Sequence, residues 1–214
     1  MNDQRKTSDQ EMKATIITEA AALFSERGYG RTKVVDIARA VGITPPSLYW
    51  HFASKEEILF EYLHSGLVEF NQRMQQAVDA HDSPTDRLRA VAVAHTRAQL
   101  EFRDQAKAVL SVTHSATQLS AGLSAERLEQ IRTLIREHID RVRDIVAAGT
   151  ASGEFDAPDG IVLAFAVLNI CEYSALWFQS DGDSSAEDVA QHHGELAVRM
   201  AVSGRAPTPR ERHP

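Results

Sequence analysis

The chain of 214 residues carries 23 Lys and Arg against 30 Asp and Glu, a formal net charge of −7, with 43% hydrophobic and 25% charged side chains. That suits one globular domain, or a small domain joined to a larger one, with apolar residues enough for a real core. The longest apolar stretch, IVLAFAVLNIC from Ile161 to Cys171, is short for a bilayer, and the opening MNDQRKTSDQEMK has no apolar secretion core. No membrane partner and a cytoplasmic location are therefore expected. The single Cys171 excludes an internal disulfide and a thiolate metal cluster. Charge is uneven: residues 1–55 hold eight basic and six acidic residues, and the remainder fifteen and twenty-four. An acidic body behind a mildly basic head is compatible with a DNA-binding head, because distant charges are screened.

Nearly every segment has helical periodicity, so the expected class is all-α with about nine helices. A first helix spans roughly Asp9 to Arg27, with Ile16, Ala20, Leu23 and Phe24 on one face. Gly28 and Gly30 end it, and Thr32 is placed to cap a second helix with a Val34, Ile37, Ala38, Val41 stripe. Gly42 stops that helix. Thr44 caps a third, very short one with Pro45 in its first turn. Ser54 with Glu57 forms a capping box that opens a long fourth helix reaching about Ala80. Further starts stand at Ser83, Ser124, Pro158 and Ser185. The expected domains are a helix-turn-helix head over 9–53, a larger helical body over 54–204, and a disordered tail over 205–214.

The helix around residues 158–178 is apolar on every side and must be covered from two directions. Its own core on one side and a second copy of the chain on the other would do this. Ile161, Phe165 and Leu168, with Val189, Leu196 and Met200 of the last helix, would form a four-helix interface about a two-fold axis. A homodimer is expected.

The stretch TPPSLYWHFASKEEIL (44–59) is a poor core element, but the major groove admits one such helix. Its hydroxyls and flat polar rings reach base edges or phosphates, with Leu48 and Phe52 anchoring it. Lys55 and the free N–H groups at the next helix start can hold a phosphate. The residues from Ala14 to Leu63 resemble the DNA-binding head of the TetR family of transcriptional regulators. The resemblance rests on I-x-x-A-A-x-L-F (Ile17–Phe24), G-Y-x-x-T (Gly28–Thr32), D-I-A-x-x-V-G-I (Asp36–Ile43) and S-L-Y-x-H-F-x-S-K-E-E-I-L (Ser47–Leu59). It implies a dimeric repressor with a three-helix head and a ligand-sensing helical body. The operator contacts it implies are Lys33, Thr44, Ser47, Tyr49, His51 and Lys55, with Thr32 at a helix start; Pro45 and Trp50 belong to the same surface. Pro45, Pro46 and Trp50 depart from residues frequent in the family, so no operator sequence carries over. The plain alternative is that Tyr49 and Trp50 pack against the head.

In the second half, R-D-I-V-A-A-G-x-A-S-G-E-F (Arg143–Phe155), A-V-L-N-I-C-E-Y-S-A-L-W-F (Ala166–Phe178) and S-x-E-D-V-A-x-x-x-x-E-L-A-x-R-M (Ser185–Met200) resemble the family branch containing steroid-ring and fatty-acid degradation repressors. That implies a coenzyme A thioester as inducer. Such a ligand needs an apolar tunnel, a few polar groups and cations at its mouth. Phe70, Met74, Phe102, Leu110, Thr113, Asn169, Glu172, Tyr173 and Trp177 are the candidates for the lining, and Arg97, Arg103, Lys107 and Arg143 for the mouth. The bland alternative has Asn169 bonding across the dimer and Glu172 pairing with Arg136 or Arg141, with Tyr173 and Trp177 as core.

No catalytic residue and no metal or cofactor site is expected. His192 and His193 point about 100° apart on a helix, and His95, His114 and His138 are scattered along the chain. Two rival functions remain: a repressor answering a planar hydrophobic drug, and a helical carrier or enzyme that keeps the helix-turn-helix as scaffold.

Overall fold

The computed structural model describes residues 2–114, 122–157 and 159–202, the side chains of 2–8 and 110–114 excepted. The expected tail over 205–214 and the expected start at Pro158 lie outside the described residues, as do the Leu110 and Thr113 side chains. Among the described residues there are ten helical segments and no strands. They are α1 (Asn2–Arg27), α2 (Val34–Val41), α3 (Pro45–His51), α4 (Lys55–Asp79), α5 (Pro84–Glu101), α6 (Arg103–His114), α7 (Ala125–Ser152), α8 (Gly160–Glu172), α9 (Ser174–Trp177) and α10 (Ala186–Val202). Counting the single turn α9 as a continuation of α8 gives the expected nine. The chain divides into two compact units, one of Met1–Phe70 with Phe102–Arg136, the other of Asn71–Glu101 with Glu137–Pro214. The helix-turn-helix therefore belongs to a unit that runs well beyond residue 53.

In the first unit, the α1 stripe Ile16, Ala20, Leu23 and Phe24 meets Ile37 and Ala38 of α2, Leu48 and Phe52 at α3, and Ile58, Leu59 and Leu63 of α4. All are buried. Burying each such side chain contributes about 1.5–3 kcal/mol relative to exposure. Gly28 ends α1 and Gly42 ends α2, at φ 80° and 79°, a left-handed conformation that costs other residues steric strain. α3 starts as expected: the Thr44 hydroxyl accepts from Ser47 N at 3.3 Å, and Pro45 has no N–H to leave unsatisfied. At α4 the Ser54 hydroxyl accepts from Glu57 N at 3.1 Å, but the Glu57 carboxylate accepts from Ala53 N at 2.6 Å, one residue earlier than a capping box requires.

The start of α2 needs a correction. Lys33, not Thr32, is the N-cap residue. The Thr32 hydroxyl donates back to Leu23 O and Gly28 O at 3.2 and 3.0 Å and is buried, so it has turned from the helix it was expected to cap. The Asp36 carboxylate accepts from Lys33 N at 3.2 Å instead.

In the second unit α5 and α10 run against each other, with α8 packed on both and α9 on α5. The starts of α5 and α10 carry serine caps: Ser83 Oγ accepts from Asp86 N and Ser185 Oγ from Asp188 N, both at 3.1 Å. Asp159 caps α8, accepting from Ile161 N and Val162 N at 3.1 and 3.2 Å. The apolar helix expected to run on to residue 178 breaks at Tyr173. There the Ser174 hydroxyl donates to Cys171 O at 2.6 Å and competes with the backbone for that carbonyl. The apolar segment Gly160–Trp177 reaches 18 residues, enough by length and composition to cross a bilayer, whereas the run Ile161–Cys171 alone is too short. Leu163, Ala164, Val167, Leu168 and Cys171 form its buried face in this unit.

Candidate nucleic-acid interface

α3 is held from behind and open in front. Leu48 and Phe52, one turn apart, are buried, as their spacing requires, while Tyr49 is 52% and Trp50 89% exposed. A tryptophan with so much of its surface in water contributes almost nothing to the head's own packing. The alternative that Trp50 is a packing residue is thereby disfavoured. Lys33 and Thr44 are exposed, and Pro45 and Ser47 half-buried beside them. This set comprises hydroxyls, an ammonium and two flat rings, group types that meet phosphates and base edges. Thr32 is not part of it, since its hydroxyl is spent inside.

Two residues of the expected contact set already have partners. Lys55 donates from Nζ to Tyr29 O at 2.8 Å and to Thr32 O at 2.9 Å, and its ammonium lies 4.1 Å from the centre of the Tyr29 ring. Burial lowers its pKa. With two of three N–H groups committed to the α1–α2 turn, Lys55 acts first as a tie between that turn and the start of α4. One N–H remains for a phosphate. His51 meets Asp9 of α1, Nδ1 to Oδ1 at 2.8 Å, and Asp9 also pairs with Lys13 at 3.5 Å. Asp9 lies 42 positions before His51, and no periodicity signals such a pair.

Behind the head, Tyr29 donates its hydroxyl to Gly122 O at 3.3 Å, and Glu56 accepts from Ser124 N at 2.8 Å. That bond is the main reason the Glu56 carboxyl titrates low. Gln105 of α6 donates to Tyr62 O of α4 at 2.6 Å, lying where a side chain at Gly66 would stand.

In the second unit the candidate effector residues separate. Met74 is fully buried, whereas Asn169, Tyr173 and Trp177 lie on the exposed side of α8–α9 and Glu172 is half-buried. Phe70 and Phe102, in the first unit, are half-buried. Of the expected interface residues, Ile161, Phe165 and Leu196 are exposed and Met200 half-buried. Leu168 and Val189, at 5% and 6% exposure, belong to the protomer's own core. Of the four expected mouth cations, two pair with neighbouring carboxylates: Arg97 with Glu187 through two guanidinium nitrogens, and Arg143 with Asp140 at 2.9 Å. Arg136 pairs with Glu129 at 2.6 Å, and Arg141 with Gln75 Oε1 at 3.0 Å.

Sequence reasoning missed a buried polar seam. His138 Nε2 meets His95 Nδ1 at 3.1 Å, and His95 Nε2 meets Gln99 Nε2 at 3.1 Å. The Thr96 hydroxyl meets His193 Nδ1 at 3.0 Å, and the His193 ring stands edge-on to Trp177. Burial pushes His95 down to about 3 and His138 well below its usual range, so both rings are neutral. The cavity of about 660 Å³ found in this unit is a different feature. It is lined by Arg87 and Arg141 facing Glu137, Asp140 and Asp144, and by none of the candidate effector residues.

Residues 16–62 match the family described as bacterial regulatory proteins, tetR family, and residues 81–201 match the tetracyclin repressor-like C-terminal domain. Over 182 residues the chain is 30% identical to the HTH-type transcriptional repressor KstR2 of Mycolicibacterium smegmatis, spanning 81% of this chain and 82% of that protein. Among solved structures it superposes on PfmR, a TetR family transcriptional regulator from Thermus thermophilus. Their TM-score is 0.74 at 34% identity, over 86% of this chain and 97% of that one. It also superposes on the ketosteroid transcriptional regulator KstR2 of Mycobacterium tuberculosis, with a TM-score of 0.75 at 27% identity, over 89% and 94%.

Proposed function

The chain belongs to the tetR family of bacterial regulatory proteins, a family of DNA-binding transcriptional regulators, and on that premise we propose that it is a homodimeric repressor. Its two heads lie in successive major grooves of a palindromic operator, and a small hydrophobic effector releases them. The observation that carries this reading is α3: Leu48 and Phe52 anchored behind, Tyr49 and Trp50 presented in front. Heads related by a two-fold reach half-sites about 34–36 Å apart. Lys33, Thr44 and Ser47 supply phosphate and base contacts beside the aromatic pair, and Lys55 keeps one N–H for a phosphate.

The effector is a coenzyme A thioester from steroid or fatty-acid breakdown. Supporting this are the C-terminal patterns given above and the relative described as a ketosteroid regulator. Met74, Glu172, Asn169, Tyr173 and Trp177 remain its proposed contacts in the second unit. Asn169 follows the proposed dimer contacts Ile161 and Phe165 at i+8 and i+4 on the exposed face of α8, and Tyr173, Trp177 and Leu196 are exposed as well. The mechanism is a population shift: the effector favours a conformation in which the heads no longer fit the operator.

One titration tests the reading. Duplex DNA from upstream of the chain's own gene is bound by the wild-type protein with a steep salt dependence. Tyr49→Ala abolishes specific binding and leaves the dimer intact. CoA thioesters release the DNA and raise the melting temperature, adding about 2.7 kcal/mol of stability at about 100 times the dissociation constant, while the matching free acids do neither. Release by planar drugs and not by thioesters would transfer the reading to an efflux-type regulator. Equal operator affinity of Tyr49→Ala would remove α3 as the reading element.

A further inference from the structure

We propose that Trp50, with Pro46 one turn before it, reads the C5-methyl group of thymine in the major groove. The half-site that faces α3 is then recognised by apolar contact rather than by paired hydrogen bonds. The proposal rests on the reading of the head as a DNA-binding element and names the base group that this element meets.

Helix geometry sets the direction of the indole. Successive residues turn by about 100°, so Trp50 points about 160° away from Leu48, two positions before it. Leu48 is fully buried and Trp50 is 89% exposed, as that opposition requires. Pro46, four positions before Trp50, lies about 40° from it on the same side and is exposed as well. Tyr49 stands about 100° from Trp50, at the flank. No hydrogen bond or ring contact ties the indole to the head among the described residues. The side of α3 turned away from its own core is therefore a proline ring and an indole.

The rest of α3 narrows what that side can read. The segment PPSLYWH holds no Arg or Lys to fork onto guanine O6 and N7. It holds no Asn or Gln for adenine N6 and N7, and no Asp or Glu to accept from cytosine N4. Two of its polar neighbours have local duties: the Thr44 hydroxyl accepts from Ser47 N, and His51 Nδ1 meets Asp9. Thymine alone among the bases presents an apolar group in the major groove, its C5-methyl, beside the O4 acceptor. An indole matches both, since its face covers a methyl group and its single N–H can donate to an oxygen. Proline, without an N–H, adds only apolar surface.

The test is fluorescence anisotropy with a labelled duplex from upstream of the gene, prepared with thymine and with uracil in its place. The two duplexes differ only in the methyl groups. Wild-type protein should bind the uracil duplex more weakly, by about fourfold for each contacted methyl, the effect of burying one such group. Trp50→Ala should bind the thymine duplex more weakly and bring the ratio of affinities close to one, and Pro46→Ser should lower it. Lys33→Ala should weaken both duplexes alike, because a phosphate contact carries no base information. Trp50→Ala should melt with the wild type, since the indole it removes is exposed. Replacing thymines one at a time, with wild-type protein only, should confine the loss to one or two positions in each half-site. A wild-type ratio of one would overturn the proposal and put the indole against sugar or phosphate. So would a wild-type ratio kept by Trp50→Ala, or a loss spread evenly over all thymines, which reports duplex stiffness. A ratio kept by Pro46→Ser would remove Pro46 from the contact. A wild-type chain that binds neither duplex overturns the DNA-binding reading itself, and the proposal with it.

Discussion

His95 of α5 and His138 of α7 meet in a T-shaped contact inside the second unit, with ring centres 4.8 Å apart. Two neutral imidazoles there can exchange one hydrogen bond, but a proton added to either would be a buried charge. The consequence for stability has a definite sign. His95 titrates near 3 in the folded chain against about 6.5 unfolded, and His138 is shifted the same way. Below about pH 6.5 the unfolded chain takes up protons that the folded chain refuses. Stability is therefore complete above that pH and falls as pH drops toward 3, by about 1.4 kcal/mol per unit for each histidine. Melting temperature measured against pH should show this fall in the wild type and a flatter line in the double variant His95→Leu, His138→Leu. A double variant with the wild-type acid slope would dissociate the pair from acid sensitivity. At this scale the sequence is half legible. In the head, helical spacing places Leu48 and Phe52 correctly. Partners 42 or 43 positions apart, such as Asp9 with His51 or His95 with His138, leave no trace in local periodicity, because only the fold brings them together.

Helix starts are the most readable elements, and the reason is chemical. The N–H groups at a helix start need acceptors, and Thr44, Ser54, Ser83, Ser124 and Ser185 each supply one from a fixed position. Where reading fails, a side chain has a stronger local offer. The Thr32 hydroxyl finds carbonyls at the end of α1, and the Ser174 hydroxyl finds Cys171 O, breaking α8 from α9. Helix separation is less legible, and Gly194 illustrates it. A Cβ at Gly194 would stand 2.6 Å from Val93 Cγ2 and 3.2 Å from Arg89 O, so α5 and α10 approach as closely as glycine allows. Two effects oppose each other in Gly194→Ala. Helix propensity favours alanine by about 1 kcal/mol, and overpacking costs about 1–3 kcal/mol. The backbone carbonyl cannot rotate aside as a side-chain tip would, so overpacking should win. The expected outcome is a lower melting temperature, by about 2–4 °C per kcal/mol lost, with the fold retained. A rise would mean that α5 and α10 have room to separate.

For the whole molecule, the decisive feature is an apolar face that the second unit leaves uncovered. Ile161, Val162 and Phe165 of α8, Leu176 and Trp177 of α9, and Leu196 of α10 are all exposed, although α8 has buried its other face in its own unit. An exposed apolar area of this kind marks an interaction surface, and a second copy of the chain is the occupant we propose. Burial divides the residues that the sequence grouped as one interface into two sets. Phe165 is exposed, so Phe165→Glu adds a charge that water solvates in the monomer and a partner would bury; its fold and melting profile as a monomer should survive while the dimer is lost. Leu168 is buried, so Leu168→Glu puts a charge into the protomer's own core and should unfold the second unit at any concentration. Sedimentation equilibrium with circular dichroism distinguishes these outcomes. The wild type should sediment as a dimer and Phe165→Glu as a folded monomer, weakened by about 2 kcal/mol or more per copy. DNA binding provides the linked readout. Two heads joined at one interface bind a two-half-site duplex far more tightly than one head binds a half-site, and Phe165→Glu should lose that advantage while retaining weak contact with either duplex. A Phe165→Glu protein that stays dimeric would move the interface to another surface.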